Sequence, residues 1–256
     1  MIELHGLHKT FDKGSEPVEA VRDINLTVER GSIVSLIGPS GCGKSTLLHM
    51  IAGLYEPSMG QVIYNGRQVD AVNTATGYMT QKDTLFPWRS VRDNVALPSE
   101  LARQSKEDRH RDATDILGRV GLDGFETRYP SELSGGMRKR AALARMLTYR
   151  PETFLLDEPF GALDAQLKLA MHELLLRLWS EDKQTILLVT HDLVEAITLS
   201  DRVIVLTRRP SRIILDQKID LPRPRDVRNV RFEPRFKKIY DQLWDFLRVE
   251  YEEERL

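Results

Sequence analysis

The chain has 256 residues, 41% apolar and 29% charged, with a net charge of −1. This length suits one large domain or a core with a smaller lobe, and the near-neutral balance lacks the basic footprint of a nucleic-acid binder. The single cysteine, Cys42, excludes an internal disulfide; no apolar run approaches the ~20 residues of a membrane span, and MIELHGLHKTF lacks the basic start and apolar stretch of a signal peptide, so a cytoplasmic protein is expected whose membrane role would need another chain.

Residues 18–28 alternate loosely in a strand-like way. Gly31 separates them from a buried-strand pattern, SIVSLIG, which ends at Gly38. A Gly/Ser-rich turn follows, then STLLHMIAGL, read as a helix stopping at Gly53. EPSMGQVIYNGRQV reads as a hairpin turning at Asn65-Gly66. From about 83 to 150 strand signals vanish: 103–120 is a charged helix with a stop at Gly121, 131–136 a loop, and MRKRAALARML a strong helix former. Strand–helix alternation then returns, with strands at 153–156, 185–190 and 201–206 and helices at 165–180 and 194–199. This alternation predicts an α/β fold with a largely parallel sheet. The tail carries Pro210, Pro222 and Pro224, then a terminal helix with Phe236, Ile239, Tyr240, Leu243, Leu247 and Tyr251 on one face.

Gly38-Pro39-Ser40-Gly41-Cys42-Gly43-Lys44-Ser45 fits G-x-x-x-x-G-K-[ST] in the strand–loop–helix setting that a phosphate loop needs. Glycines let successive N–H groups turn inward toward phosphate oxygens, and the helix start adds its positive end. Lys44 supplies a point charge for β- and γ-phosphates, and the Ser45 hydroxyl suits Mg²⁺. Cys42 is read as filling a small slot in the loop.

The strand at 153–156 ends in Asp157-Glu158. In a parallel sheet strand C-termini open onto the ligand crevice. Asp157 would then reach the Mg²⁺ through water, and Glu158 would polarise an attacking water; the bland alternative is a strand-end turn with solvated acids. His191 ends the next strand at the same edge, placed for a γ-phosphate or the attacking water.

Leu133-Ser134-Gly135-Gly136-Met137 resembles the LSGGQ signature of ABC (ATP-binding cassette) ATPases. GPSGCGKST, Gln81, FLLDEP, Gly161-Ala162-Leu163-Asp164 and His191 stand in that family's order. The resemblance covers about 1–210. It implies a P-loop NTPase of ABC type: a mostly parallel sheet core, an antiparallel β lobe and a helical lobe at about 83–150. Residues 211–256 are then a C-terminal extension whose terminal helix packs on the cassette. It also implies that Phe11 stacks on adenine, that the loop through Thr46 holds ATP, and that Gln81 joins Mg²⁺ with Ser45 and Asp157 and senses a transmembrane partner. Glu158 would be the general base, with His191 and Lys44 assisting. Ser134, Gly135 and Gly136 would bind the γ-phosphate of the opposite subunit's ATP, and Asp164 would couple the two sites. The 134–136 segment is physically a second anion site at a helix start, which favours a head-to-tail dimer. Met137 stands where the signature has glutamine, and Thr153 where an aliphatic residue is commoner.

Residues 84–95 (TLFPWRSVRDNV), DEPFGALDA and Arg208-Arg209-Pro210-Ser211-Arg212-Ile213 are similar to importers of nitrate, sulfonates and taurine. That likeness implies a permease docking at Gln81 and at Phe86, Pro87 and Trp88, an extracytoplasmic solute-binding protein acting indirectly, and a place at the cytoplasmic face of the membrane. The alternative for Trp88 is burial inside the helical lobe. Rival readings are an exporter or lipid-trafficking ATPase, a soluble ABC ATPase working on DNA or ribosomes, and a non-hydrolysing regulator. The presence of Glu158 and His191 counts against the last, and one cassette without heptads against the soluble enzyme.

Overall fold

The structure, a computed structural model, describes residues 1–13, 16–161 and 163–252. Strands β1 (Ile2–Lys13) and β2 (Glu16–Val28) form a long antiparallel pair. β3 (Ile33–Ile37) is buried at every residue and leads through the 38–43 loop into α1 (Lys44–Ile51). β4 (Met59–Tyr64) and β5 (Arg67–Gln68) make the expected hairpin. Asn65 and Gly66 both have positive φ, 51° and 78°, the type I′ geometry that matches strand twist. These strands close a four-stranded antiparallel lobe in the order β2-β1-β4-β5.

β6 (Thr76–Met79) precedes the helical lobe, which consists of α2 (Val91–Val95), α3 (Leu97–Leu101), α4 (Lys106–Arg119), a 3₁₀ turn at Pro130–Glu132 and α5 (Gly135–Tyr149). Ser105 starts α4: its hydroxyl accepts from Asp108 N, and Glu107 and Asp108 complement the dipole in the first turn. The chain continues through β7 (Thr153–Asp157), α6 (Ala165–Asp182), β8 (Thr185–Val189), α7 (Leu193–Leu199), β9 (Arg202–Leu206), β10 (Ile213–Lys218), a 3₁₀ turn at Val230–Phe232 and α8 (Pro234–Glu252). The second sheet has the order β10-β9-β3-β8-β7-β6, parallel except for β10.

Period-two alternation divides this sheet's side chains between two cores. Phe154, Leu156, Ile186 and Leu188 face the cluster shared with α5, α6 and the helical lobe. Leu155, Leu187, Val34 and Leu36 face the cluster shared with α1 and the β lobe. A third cluster holds Phe236, Ile239, Leu243 and Leu247 of α8 against α7 and β9. The Tyr251 side chain and residues 253–256 lie outside the described residues.

Three strands have no counterpart among the sequence expectations. β1 shifts register at three places, between Leu4 and Leu7, Leu7 and Lys9, and Lys9 and Thr10, which breaks its alternation. β6 is four residues with a central glycine, Gly77. β10 lies at a sheet edge and shows solvent every second residue. Its pairing with β9 carries the sheet past residue 210, so the expected division there does not coincide with the sheet's edge.

Candidate nucleotide site

Four adjacent parallel strands deliver the site. β3 ends at the phosphate loop, β8 at His191, β7 at Asp157-Glu158, and β6 two residues before Gln81. Neighbouring strands in register end at one edge of the sheet, which is where α/β folds open their crevice.

The loop is shaped by close approach. A Cβ on Gly38 would lie 2.7 Å from Leu206 O, and one on Gly43 2.9 Å from Ala20 O. Gly43, at φ 121°, begins α1 with no side-chain cap, so the first amides of the helix have no side-chain acceptor. Gly38, Pro39 and Cys42 are buried, Ser40 and Gly41 are exposed, and Ser45 and Thr46 are half-buried. Lys44 is 5% exposed, and its Nζ donates to Gly38 O (2.7 Å) and Pro39 O (2.8 Å). The loop thus holds the ammonium by carbonyls at its own mouth. Cys42 fills a slot, and burial pushes its thiol pKa up. Arg209 was not singled out by itself in the sequence; its guanidinium lies against Gly41, 3.1 Å from where a Cβ would stand.

Glu158 has φ 46°, a left-handed backbone uncommon for this residue type and held by its N–H donating to Val189 O at 3.0 Å. This turn brings Oε2 to 3.4 Å from His191 Nδ1 and 3.1 Å from Gln81 Nε2. Three residues from three strand ends, far apart in sequence, therefore meet at one carboxylate. Asp157 is buried, and Oδ2 accepts from the Tyr78 hydroxyl at 3.2 Å. Burial, then the neighbouring Asp157 charge, pushes the Tyr78 pKa up, so this phenol remains a donor. His49 on α1 lies 3.2 Å behind the Tyr78 hydroxyl. Tyr78 and His49 were missed, because nothing in their spacing marks contact with a strand 79 residues away.

Phe11 is half-buried on β1 and meets Tyr55 edge-on, ring centroids 5.6 Å apart, with Lys9 Nζ 5.2 Å from its ring. Ser134 caps α5 by accepting from Met137 N at 3.3 Å. Ser134 and Gly135 are exposed, while Gly136 is buried and a Cβ there would collide with Leu167 of α6. Asp164 caps α6 by accepting from Leu167 N at 3.0 Å. Ala162, named in the same string, lies outside the described residues. Among the described residues no hydrogen bond or ion pair joins 134–136 or Asp164 to the phosphate loop, so the chain does not bring these two groups together by itself.

The glutamine loop is gripped by α5. Lys139 donates to Gln81 O, Arg138 Nε bonds Asp83 Oδ2 at 3.0 Å, and Arg145 Nη1 bonds Thr84 O at 3.0 Å. Just beyond, buried Asn94 donates to Phe86 O, Arg89 O and Ser90 O and accepts from Phe86 N. This staple presents Trp88 outward, 72% exposed, with the Phe86 ring 5.1 Å away. The alternative of a Trp88 packed inside the lobe does not hold. A cleft of about 510 Å³ lies alongside, between β6, α3 and α5, lined by Leu97, Leu101, Met146, Tyr149, Asp83 and Arg145. Among the described residues no helix is long and apolar enough to cross a membrane.

Residues 21–161 match the family model described as ABC transporter. The chain is 45% identical to an uncharacterised ABC transporter ATP-binding protein of Methanocaldococcus jannaschii, over 95% of this chain and 91% of that one. It is 40% identical to the aliphatic sulfonates import ATP-binding protein SsuB of Bacillus cereus, covering 94% and 95%, and 40% identical to the nitrate import ATP-binding protein NrtD of Synechococcus elongatus, covering 93% and 88%. Among solved structures it resembles a dimeric post-hydrolysis ATP-binding cassette bound to ADP and Pi, with a TM-score of 0.78 and 31% identity over 87% of this chain and all of that one. A phosphate loop, a carboxylate pair and a histidine at adjacent strand ends, and a second glycine-rich helix start held apart from them, thus coincide with similarity over nearly the whole length: the chain belongs to the ABC transporter family.

Proposed function

We propose that the protein hydrolyses ATP as the motor subunit of an importer, working as a cassette dimer beneath a membrane permease on the cytoplasmic face. The meeting of Glu158, His191 and Gln81 beside the phosphate loop is the observation that carries this reading. Oε2 of Glu158 is engaged by the other two side chains, while Oε1 has no protein partner among the described residues. Oε1 is then the atom that takes the proton from the attacking water. His191 contacts the γ-phosphate, Lys44 moves from the loop carbonyls to the β- and γ-phosphates, and Phe11 packs on adenine. Ser134, Gly135 and Gly136 of one copy complete the site of the other, and Asp164 couples the pair.

Ser45, Asp157 and Gln81 offer hard oxygen donors that fit Mg²⁺. Among the described residues no group of three or more His, Cys, Asp or Glu side chains could hold a metal, which suits an ion that shares its shell with phosphates and water. When bound, Mg²⁺ would neutralise charge on the β- and γ-phosphates.

Exposed Trp88 with half-buried Phe86 against it, and the α5 contacts to 81–84, support permease docking there, since an apolar patch next to a gripped loop can relay position to Gln81. The names of the sulfonate and nitrate import relatives support a small solute with an oxyanion group, such as nitrate, a sulfonate or taurine; an extracytoplasmic binding protein would deliver it. The test is Glu158→Gln, measured for ATP binding and turnover. Binding should persist while turnover falls about 10²–10⁴-fold; near-normal turnover removes Glu158 from the mechanism.

A further inference from the structure

A cleft of about 550 Å³ lies between α6 and the 223–227 segment of the C-terminal extension, within the range of about 300–1,000 Å³ typical of small-molecule sites. It borders the second half of α6. That helix has 18 residues and so runs about 27 Å from its start beside Asp164.

Leu176, Trp179 and Val227 give the cleft apolar lining, and Arg177, Lys183, Arg223 and Arg225 give it four cations. Arg223 pairs with Asp201 at 2.7 Å, and the one carboxylate in the lining, Glu173, is taken by Arg228 at 2.9 Å. The other three cations have no carboxylate within ion-pair distance among the described residues. Arg177 donates to Arg119 O, Lys183 rests its Nζ 3.7 Å from the centre of the Trp179 ring, and Arg225 donates to the carbonyls of Ile197, Thr198 and Ser200.

Capping of helix carbonyls explains the bonds of Arg223 and Arg225 to the last turn of α7 and that of Arg177 to the last residue of α4. Carbonyls do not neutralise a charge, and among the described residues Arg177 and Lys183 have no carboxylate at ion-pair distance. Arg225 is 8% exposed, and burial, followed by the Arg223 charge and opposed by Asp201, brings its pKa down to about 10. Lys183 and Arg223 also crowd one indole, at 3.7 and 4.2 Å. Two donors on side chains more than nine-tenths buried, Trp179 Nε1 and Arg225 Nε, have no partner among the described residues. Excess cations beside apolar surface are the complement of an amphipathic anion.

We infer that this cleft binds a small organic anion, with an oxyanion head of the sulfonate or phosphate type on an apolar body. The head sits between Arg177 and Lys183, and the body lies against Leu176, Trp179 and Val227. A ligand there joins the extension to the helix that begins beside Asp164, away from the phosphate loop. The inference stands on the cleft alone and does not depend on the importer reading.

Trp88→Phe and Trp244→Phe leave Trp179 as the sole tryptophan, and its emission is then followed with ADP saturating the phosphate loop. Butane-1-sulfonate should change the emission saturably, with inorganic sulfate and butan-1-ol each at least about ten-fold weaker, the loss expected when one charged or apolar half is missing. Arg177→Gln with Lys183→Gln should abolish the response while ADP affinity, which also reports folding, stays unchanged; Arg177→Gln alone should weaken it if the pair does not fold. No saturable response, or the same response in these variants, overturns the site. Sulfate binding as tightly as butane-1-sulfonate overturns the organic ligand. A response to phosphatidylglycerol vesicles without one to butane-1-sulfonate overturns the soluble ligand in favour of a lipid.

Discussion

Two helices of this molecule begin at glycine-rich turns, and they are built differently. α1 starts behind the phosphate loop with no side-chain cap and a buried lysine inside the turn. α5 starts at exposed Ser134, whose hydroxyl is already used to cap Met137 N; its Arg138 reaches back to Leu133 O at 2.7 Å but stays half-buried, unlike the enclosed Lys44. Neither has an acidic residue in its first turn, whereas α2, α4 and α7 do. Both ends therefore leave the positive helix terminus open to an anion. On the proposed reading the first is a cradle for a phosphate, and the second is a surface half-site, backed by Leu167 beneath Gly136, that a second copy completes.

That contrast is broken most sharply at Gly136. Replacing it with valine pushes against Leu167 and should lower cooperative turnover by about 10²–10³-fold, the cost of losing an oxyanion donor. ADP affinity of the isolated chain should not change. A parallel fall in ADP affinity would show that α5 is not a half-site for a second copy. Lys44→Ala tests the other helix by equilibrium nucleotide titration. Loss of a charged hydrogen bond of about 1.5–3 kcal/mol should weaken binding about 10–100-fold; unchanged affinity would mean that the ammonium stays on the loop carbonyls. Next in size is Trp88→Ala, which should reduce permease-stimulated turnover severalfold and leave the basal rate and nucleotide affinity intact. Loss of nucleotide affinity as well would assign Trp88 a structural role in spite of its exposure.

The smallest effect separates the two helices by pH. Burial holds the pKa of His49 on α1 below its ordinary value, against the opposing pull of Asp157. The unfolded chain therefore takes up this proton first. Stability should be unaffected above about pH 6.5 and fall as pH drops from there toward the lower folded value. Urea titrations of His49→Gln should show a flatter acid limb than the native chain, and an equally steep limb would exclude His49 as the cause.

Much of this site was legible in the residues. The phosphate loop has fixed spacing, and Asp157-Glu158 and His191 end apolar runs, so their chemistry and strand-end positions follow from a short window. Trp88 was legible only as a choice between core and surface, since its neighbours suit both. The roles of Tyr78, His49 and Asn94 were not legible, because each works through a partner that sequence spacing does not point to. β1, β6 and β10 were hidden for local reasons: bulges, brevity and an edge position erase the periodicity that reveals a strand.

By itself the sequence determined the type of fold and marked the groups proposed to bind phosphate. Apolar runs and glycine spacing act within a few residues, where covalent geometry already limits the choices. Only the tertiary structure decided which charges find partners. It drew Gln81, Glu158 and His191 to one carboxylate, turned Trp88 outward, and left Arg177 and Lys183 uncompensated in a cleft. Those outcomes depend on strands and helices distant in the chain packing side by side, and desolvation at such contacts sets whether a charge is neutralised or remains available to a ligand.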